Sequence, residues 1–503
     1  MKMYRLVKLS SLDAKVFGTS VTSSRGISFS HLKCTRSVVN PFPVRLRISQ
    51  APDAVQSPRL APQMVTSILR LNEVTLEECN GAVKGLEVNQ LQANKPIEDR
   101  YAYGKLVHGR GMLFGVFDGH AGSACAQAVS DRLFNYIAVA MADHDVLHNI
   151  REGKIDPTTD LLQRGKQAFL SVNSHLAGLH RKRLVHFAVE SMAIDSSDNL
   201  SKDSLVSAFL RLDKDIITEA MPSMQKQDGL DNICYNEALS IAFSGAVACV
   251  GFVDGKDLFV ANVGDSRAVL GVHNDNRWEA VPLSKTHDAG NTAELERLFR
   301  SHPNESSNII RNHRLLGELI PLRSFGDCRY KWSKSDLKHL LNTRQFNSSI
   351  FQMYGDNLIP KNSQTPPYLD AEPEVVHHHL TPKDKFLVLA TDGLWDCLSP
   401  EKVVQLVAGH MDGKQVLVNY DPPKNAKLKA INQVLAQRKS SLLNRTLDAN
   451  VATHLLRSAL GPEHGLVSAQ LTLPDSLARF YRDDITVIVV YFDSDYLKDH
   501  AVM

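Results

Sequence analysis

Short apolar runs that end beside glycine or aspartate recur along the chain from about Ala93 onward. The run LFGVFD at 113–118 has the composition of a buried strand followed by a turn. Three further runs follow one another closely at 243–253, 258–263 and 268–272, and only Asp-Gly or Gly-Asp turns separate them. Because parallel pairing needs longer crossover connections, these closely spaced runs predict an antiparallel sheet.

Two later runs, at 385–390 and 485–492, are apolar at nearly every position, which predicts central strands covered on both faces. Between the strands, apolar residues recur every three or four positions, the pattern of a helix with one buried face. This pattern occurs at 122–142, 204–220, 292–301, 399–410 and 449–460. The sequence therefore predicts an α+β fold in which two antiparallel sheets pack face to face with helices flanking them.

Three stretches exceed what a minimal version of that fold needs, near 143–203, 328–368 and 410–447. We expect them to be insertions at the surface, where partners usually bind. The triplet His377–His379 raises the question of a metal site. Consecutive strand residues point to alternate faces and cannot all bind one ion, so a solvated sheet edge is the better prediction.

The first fifty residues differ in charge from the rest of the chain. They carry nine Lys and Arg side chains against Asp13 alone, are rich in Ser and Thr, and lack the long apolar stretch of a secretory signal. This composition is typical of a mitochondrial or plastid transit peptide, with a basic tail on a cytosolic protein as the alternative. We predict a transit peptide and linker over 1–67, a folded domain over 68–495 and a tail over 496–503.

The rest of the chain carries 48 basic and 54 acidic side chains. A body of this sign gives no electrostatic reason to expect nucleic-acid binding, which needs a clustered basic face. The seven cysteines are widely spaced and include no C-x-x-C pair, so neither a zinc site nor a disulfide framework is predicted, and a reducing compartment fits. No apolar run approaches the ~20 residues that a membrane-spanning helix needs, so we expect a soluble protein.

Acidic residues recur at the ends of the apolar runs or beside glycine. They are Glu98, Asp99, Asp118, Asp265, Asp327, Asp392, Asp483 and Asp484. Each one alone has a simple explanation, because Asp-Gly is among the commonest turn dipeptides. Together they predict carboxylates gathered at a sheet rim, and such oxygen donors favour Mg²⁺ or Mn²⁺. Two such ions about 4 Å apart would clamp a phosphoryl group, which makes phosphoester hydrolysis the predicted chemistry.

Seven short motifs resemble those of one known protein family. They are PIEDR at 96–100, FDGHAG at 117–122, SGA at 244–246, ANVGDSR at 261–267, RSFGD at 323–327, ATDGLWD at 390–396 and RDDITV at 482–487. In content and order they resemble the motifs of the metal-dependent protein serine/threonine phosphatases of type 2C. The resemblance implies the fold of that family, a central antiparallel β-sandwich flanked by helices on both sides, here with insertions.

Four longer segments are similar to one branch of that family, the catalytic subunits of the pyruvate dehydrogenase phosphatases. These segments are 89–100, 115–129, 365–374 and 478–485. The resemblance implies an enzyme of the mitochondrial matrix that removes phosphate from serine on the E1α subunit of the pyruvate dehydrogenase complex. It also implies docking on the lipoyl domain of dihydrolipoyl acetyltransferase, with Ca²⁺ as a candidate docking ion, and a regulatory subunit as partner.

The resemblance also assigns metal-binding roles residue by residue. Asp118 would bridge two ions, Asp392 and Asp483 would complete the first, and the Gly119 carbonyl would help to hold the second. Two further carboxylates would act mainly through metal-bound waters, namely Glu98 and Asp99.

Four more residues receive roles in the same way. His120 would be the general acid that protonates the leaving serine oxygen, although it could instead cap the following helix. Asp265 would contribute to a weaker third metal position. Asp327 would be either its neighbour there or a turn residue. Asp484 stands where the family usually has Asn and would support the ligands.

One position departs from the wider family. Where other members place an Arg that clamps the phosphate bidentately, this chain has Asn94. The pyruvate dehydrogenase phosphatase branch shares that departure, so phosphate binding must depend on other contacts.

Two rival functions stay open at this point. One is a cytosolic type 2C phosphatase with other substrates. The other is an inactive adaptor of the same fold, which the presence of Asp118, Asp392 and Asp483 disfavours because such adaptors typically lose metal carboxylates.

Overall fold

The two most apolar strands lie side by side in the middle of a six-stranded antiparallel sheet. They are Asp384–Ala390 and Ile485–Phe492, and both the sheet partners and the layers above and below bury them. The computed structural model describes residues 59–77, 79, 81–109, 111–165, 176–193, 200–223, 229–275, 277–342, 354–415, 422, 427–443 and 447–499.

The strands form two sheets that face each other. In chain order they are β1 (Val74–Leu76), β2 (Val83–Leu91), β3 (Arg100–Leu106), β4 (Met112–His120), β5 (Leu162–Arg164), β6 (Gly245–Asp254), β7 (Asp257–Val263), β8 (Arg267–Asn274), β9 (Arg277–Pro282), β10 (Ile310–Arg311), β11 (Arg314–Leu315), β12 (Phe325–Gly326), β13 (Glu374–His379), β14 (Asp384–Ala390) and β15 (Ile485–Phe492). One sheet has the order β1-β2-β15-β14-β8-β9. The other has the order β13-β7-β6-β4-β3-β5, and β12 pairs with β6.

Helices cover both outer faces of the sandwich. They are α1 (Pro62–Leu69), α2 (Ala124–Ala140), α3 (His144–Arg151), α4 (Ala177–Ser191), α5 (Leu200–Glu219), α6 (Asn232–Phe243), α7 (Thr292–Ser301), α8 (Ser306–Ile309), α9 (Cys328–Lys331), α10 (Lys334–Asn342), α11 (Asp392–Trp395), α12 (Pro400–Gln415), α13 (Leu428–Leu443), α14 (Val451–Leu460), α15 (His464–Leu471), α16 (Asp475–Tyr481) and α17 (Ser494–Asp499). A 3₁₀ turn spans Gly355–Asn357. Within the described residues, no helix has the length and apolarity that crossing a membrane requires.

Three apolar layers hold the sandwich together. The inner faces of the two sheets meet through residues such as Val116, Leu270 and Ile488. Helices α2, α5 and α6 pack on the outer face of the β4–β6 region, and α12 and α14 pack on the outer face of the β15–β14 region. The predicted α+β sandwich with flanking helices is therefore confirmed.

Some local predictions were wrong in their details. The run predicted as a strand over 243–253 begins too early, because helix α6 ends at Phe243 and strand β6 begins only at Gly245. The apolar period does not mark this change, since every residue from Ile241 at the end of α6 to Val253 in β6 is buried. The triplet His377–His379 lies on β13, an edge strand, and His377 and His379 are largely exposed as expected.

The predicted insertions are at the surface only in part. In the second insertion, Trp332, Leu340 and Tyr368 are fully buried in the apolar layers, since this segment closes one side of the helical layer. The first insertion adds β5 to a sheet edge and α4 to the face of α2. Parts of these insertions, of the third insertion and of the tail, together with residues 1–58 of the predicted transit peptide and linker, lie outside the described residues.

A buried ion pair ties α2 to α5. The Arg132 guanidinium donates two hydrogen bonds to the Glu219 carboxylate, at 2.9 and 2.8 Å, and both side chains are almost fully buried. Burial alone would raise the pKa of Glu219, but the attraction of Arg132 outweighs it and lowers that pKa to about 2.

We expect Arg132→Met to lower the free energy of unfolding by about 3–5 kcal/mol at neutral pH, because the buried Glu219 loses its guanidinium partner and keeps only His180, at 3.5 Å. The double variant Arg132→Met/Glu219→Leu should recover most of that loss. Since the pKa of Glu219 falls on folding from an ordinary value near 4.5, its contribution to stability is present above that pH and is lost as the pH falls towards about 2. Urea unfolding as a function of pH measures both effects, and a single-variant loss below about 1 kcal/mol would contradict them.

Candidate active site

The strand register brings the predicted acidic residues to one end of the sandwich. In the sheet that contains β3 and β4, Arg100 at the start of β3 lies opposite Phe117 near the end of β4. Glu98 and Asp99 directly precede this pair, and Asp118 directly follows it. The three carboxylates therefore share one rim.

The other sheet contributes three more carboxylates at its corresponding end. Ala390 at the end of β14 lies opposite both Val487 of β15 and Arg267 of β8. The chain leaves or enters these strands through the loops that carry the remaining predicted ligands. Those ligands are Asp265, Asp392 and Asp483.

Asp118 lies at the point where these loops converge. Burial and the negative charges of Asp99, Asp392, Asp265 and Asp483, in that order, hold its pKa well above the ordinary range. Such coupling requires the carboxylates to be close together in a region of reduced dielectric. Side chains far apart in the sequence thus form one cluster.

Asp99 is held at the base of the cluster. Its side chain is buried, and one carboxylate oxygen accepts hydrogen bonds from the hydroxyls of Thr486, at 2.7 Å, and Thr391, at 2.8 Å. Burial first and then the charge of Asp484 raise the pKa of Asp99 well above its ordinary value, against the effect of the two hydroxyls. The hydroxyls fix the direction in which the carboxylate points.

Asp484 organises the loop that carries Glu98. Its carboxylate accepts hydrogen bonds from three backbone N–H groups, those of Ala93 at 2.5 Å, Asn94 at 2.8 Å and Glu98 at 2.7 Å. The supporting role predicted for Asp484 agrees with these contacts. The Asn94 side chain points the same way, and its Nδ2 donates to Asp483 at 3.4 Å and to Asp484 at 3.3 Å. Asn94 thus holds the acidic loops together.

The Glu98 side chain reaches across to the turn after β4. Its Oε1 accepts a hydrogen bond from the Gly122 N–H at 2.7 Å. Gly119 lies against the Glu98 backbone so closely that a Cβ at Gly119 would overlap the Glu98 carbonyl oxygen. This close approach explains why glycine follows Asp118 in the sequence.

His120 pairs with Asp327. The His120 Nε2 lies 2.7 Å from Asp327 Oδ2, which also accepts a hydrogen bond from the Ser324 hydroxyl at 2.7 Å. The imidazole is 26% exposed while Asp327 is 4% exposed, so the histidine reaches solvent at the rim and the aspartate lies behind it. A Cβ at Gly245 would overlap both partners, so glycine is required there.

Each member of this pair stabilises the charged form of the other. Burial alone would lower the pKa of His120, but the charge and hydrogen bond of Asp327 outweigh it and raise that pKa. The pKa of Asp327 is lowered by His120 in spite of burial. Asp327 adopts a left-handed backbone conformation, with φ 51°, at the start of α9, which fits the turn residue that was one of its two alternatives. Its hydrogen-bond partner, however, is the candidate general acid.

A buried ion pair supports the His120–Asp327 pair from behind. The Lys331 ammonium donates to both carboxylate oxygens of Asp213, at 2.8 and 2.7 Å, and to the Ser324 carbonyl at 2.7 Å. Asp213 in turn accepts from the Gly326 N–H at 3.0 Å. The segment on either side of Phe325 is therefore fixed to α5, and with it the position of Asp327.

Asp265 lies on the His120 side of the cluster. Burial first, then the charges of Asp288 and Asp396, raise its pKa to about 6, while His120 and a backbone N–H oppose the shift. Asp288 and Asp396 were not predicted as site residues. Their proximity makes this part of the rim more acidic than the motifs alone indicate.

The donor set fits divalent cations. Among the described residues, no three His, Cys, Asp or Glu side chains are already arranged so that they could hold a metal ion as they stand. The cluster nevertheless consists of oxygen donors, and Glu98, Asp118, Asp265, Asp392 and Asp483 are all partly exposed at the same rim. Like charges this close favour protonation, whereas a hard cation would offset both their repulsion and their burial.

Several residues of the site were missed by the sequence reasoning. They are Thr391 and Thr486 around Asp99, and Asp213 and Lys331 behind Asp327. A signal existed for Asp213, because it follows Phe209 by four positions and so lies on the predicted buried face of that helix. A charged residue on a buried face predicts a buried partner.

Comparisons with known proteins identify relatives of this chain. A family model described as protein phosphatase 2C matches residues 164–441, more than half of the chain. The chain is 43% identical over 455 residues to human mitochondrial [pyruvate dehydrogenase [acetyl-transferring]]-phosphatase 2, covering 87% of this chain and 84% of that protein. It is 42% identical over 463 residues to the rat mitochondrial phosphatase 1 of the same name, covering 86% and 83%. Among solved structures, it resembles serine-threonine phosphatase 2C from Toxoplasma gondii, with a TM-score of 0.43 and 17% identity over 84% of this chain and 98% of that one.

We expect Lys331→Met to destabilise the protein by about 3–5 kcal/mol, because it leaves Asp213 charged, buried and unpaired. Chemical denaturation measures the free energy of unfolding. Lys338→Met serves as the matched control, since Lys338 lies on α10 with an exposed side chain. Equal stabilities of the two variants would show that the Asp213–Lys331 pair does not hold this part of the site.

Proposed function

Because this chain belongs to the protein phosphatase 2C family, we propose that it is a metal-dependent protein serine/threonine phosphatase that acts on the phosphorylated E1α subunit of the pyruvate dehydrogenase complex. Removal of phosphate from E1α would reactivate the complex.

One observation carries the proposal. Asp118 is coupled electrostatically to Asp99, Asp392, Asp265 and Asp483, from loops of both sheets. An inactive adaptor would have no physical need to keep so much like charge at one rim, because crowded carboxylates destabilise the fold unless a cation offsets them. The crowding therefore favours the enzyme over the adaptor.

The cations we propose are Mg²⁺ or Mn²⁺, two of them, with a weaker third position at Asp265. The residues that would hold them are Asp118, the Gly119 carbonyl, Asp392 and Asp483, with Glu98 and Asp99 acting through waters. When bound, the cations would supply Lewis-acid stabilisation of the phosphoryl group and activate a water as the nucleophile.

The protein's own groups would handle the leaving serine. The exposed edge of His120 faces the cleft, so its imidazolium can donate a proton to the departing oxygen. Asp327 would orient the ring and stabilise its charged form, as a carboxylate does when it accepts from the other side of a catalytic imidazole. Asp327 would therefore be a positioning residue that acts through His120.

The substrate and the location of the protein follow from its relatives. The named relatives are mitochondrial and carry the name of pyruvate dehydrogenase phosphatases. The basic, hydroxyl-rich first fifty residues support import into mitochondria, so we propose the matrix as the site of action. We further propose docking on the lipoyl domain of dihydrolipoyl acetyltransferase, with Ca²⁺ as the docking ion, and a regulatory subunit as partner.

Phosphate release from phosphorylated E1α tests the proposal directly. The full chain with Mg²⁺ or Mn²⁺ should release phosphate, and Asp118→Asn should lower the rate by at least about 10²-fold, because it removes the charge at the centre of the cluster. Asp145→Asn, on the exposed first turn of α3, is the control and should keep wild-type activity. Equal rates for the wild type and Asp118→Asn would reject the phosphatase assignment.

Substitution of His120 tests its role as the acid. In His120→Gln, turnover of phosphoserine peptides should fall about 10²–10⁴-fold, the usual contribution of general acid catalysis. Aryl phosphates with good leaving groups should suffer much less, because their leaving oxygens need little protonation. Manganese binding should persist in the variant. Equal losses on both substrate classes would count against proton donation by His120.

A further inference from the structure

A cavity with positively charged side chains lies next to the acidic rim. A cavity of about 340 Å³ opens beside the acidic cluster, where the end of β9 and the start of β8 meet the beginnings of α7 and α12. Its polar lining includes Arg267, Ser284, Lys285, Thr286 and Asn291. Among the described residues that line it, none is Asp or Glu. The wall therefore carries two cations and neutral hydrogen-bonding groups.

Arg267 lacks an internal partner. Its Nε is screened from solvent and has no hydrogen-bond partner within the described part of the chain. By contrast, Arg323 and Arg297 both bind Glu294. A buried donor without a partner lowers stability, so a ligand oxygen that accepts a hydrogen bond from the Arg267 Nε would be favoured here.

Lys285 can leave its present partner and bind a ligand together with Arg267, with little loss of stability. Its ammonium lies 3.3 Å from Glu374, but its side chain is 74% exposed. A surface pair of that kind contributes little to stability and is easily rearranged. Asn291, the N-cap of α7, and Pro400, the first residue of α12, also line the cavity, so the positive ends of two helix dipoles lie beside it.

The short separation between Arg267 and Asp265 of the acidic cluster suggests which ligand the cavity binds. Arg267 follows Asp265 by two residues, which spans at most ~7 Å of extended chain. A peptide whose phosphoserine lies at the cluster would therefore bring a residue two to four positions away to the cavity. The volume is at the small end of the ~300–1,000 Å³ range of ligand pockets and suits a side chain.

We propose that this cavity binds an acidic side chain of the phosphoprotein substrate, near the phosphoserine, through Arg267 and Lys285. The inference rests on the proposed function, because it takes a phosphopeptide as the substrate. It adds a selectivity for sequence: the acidic cluster would take the phosphate, and the Arg267 cavity would select a neighbouring carboxylate. A second phosphate would offer the same chemistry as a carboxylate.

Matched peptides test the cavity. Each peptide carries one phosphoserine and a single Glu two, three or four residues away on either side, with a Gln version as its partner and a phosphoserine version for the second phosphate. For at least one position, kcat/KM of the wild type should be about 10-fold higher with Glu than with Gln, the effect of one hydrogen bond to a charged group. A still higher value with phosphoserine would support the cavity with phosphate as its natural occupant.

Variants then locate the selectivity. Arg267→Gln should bring the Glu-to-Gln ratio to about one, and Lys285→Gln should reduce it in part. Arg277→Gln, an exposed arginine on β9, should keep the wild-type ratio. If Arg267→Gln fails to fold, as judged by its melting temperature, an unchanged ratio in Lys285→Gln overturns the proposal.

A binding experiment separates this inference from the function. Fluorescence anisotropy of labelled Glu and Gln peptides with the Mn²⁺-loaded His120→Gln variant, in which turnover is slow, reports selectivity without catalysis. Selective binding without phosphate release in the metal-loaded assay would keep the cavity and reject the phosphatase. Equal hydrolysis and equal binding of the Glu and Gln peptides would overturn the cavity and leave the phosphatase intact.

Discussion

Repulsion among carboxylates at one rim is the constraint on which the rest of the structure depends. Asp118 is surrounded by four other acidic side chains, and burial together with their charges raises its pKa well above the ordinary range. Left alone, such a cluster destabilises the fold, and mutual repulsion would spread the loops that carry it. Bound divalent cations would offset the repulsion among the carboxylates. The same charges that oppose folding would therefore hold the catalytic ions.

The surrounding structure opposes the repulsion with direct contacts. Asp484 collects three backbone N–H groups of the loop before β3, and Thr391 and Thr486 hold Asp99. On the other side, Lys331 and Asp213 fix the segment that presents Asp327 to His120. These contacts hold the donors in place before any ion or substrate arrives, and such preorganisation is what electrostatic catalysis requires. Arg267 also opposes the repulsion, because it places a positive charge beside the acidic rim.

The sequence predicted the parts of this arrangement that leave a local trace. Strand-end carboxylates beside glycine, as at Asp118-Gly119, mark the rim, and the order of the motifs identifies the family. The His120–Asp327 pair could not be predicted, because the partners are far apart in the chain and Asp327 has the sequence context of an ordinary turn. The boundary between α6 and β6 was missed because every residue from Ile241 to Val253 is buried, and continuous burial removes the periodicity that distinguishes a helix from a strand.

Calorimetric titration with Mn²⁺ tests the central claim most directly. If crowded carboxylates from both sheets form one cation site, the wild-type chain should bind two ions, and Asp118→Asn should lose one of them or bind both at least about 10-fold more weakly, since Asp118 lies at the centre of the cluster. Identical stoichiometry and affinity in the two proteins, or no binding by the wild type, would contradict the account.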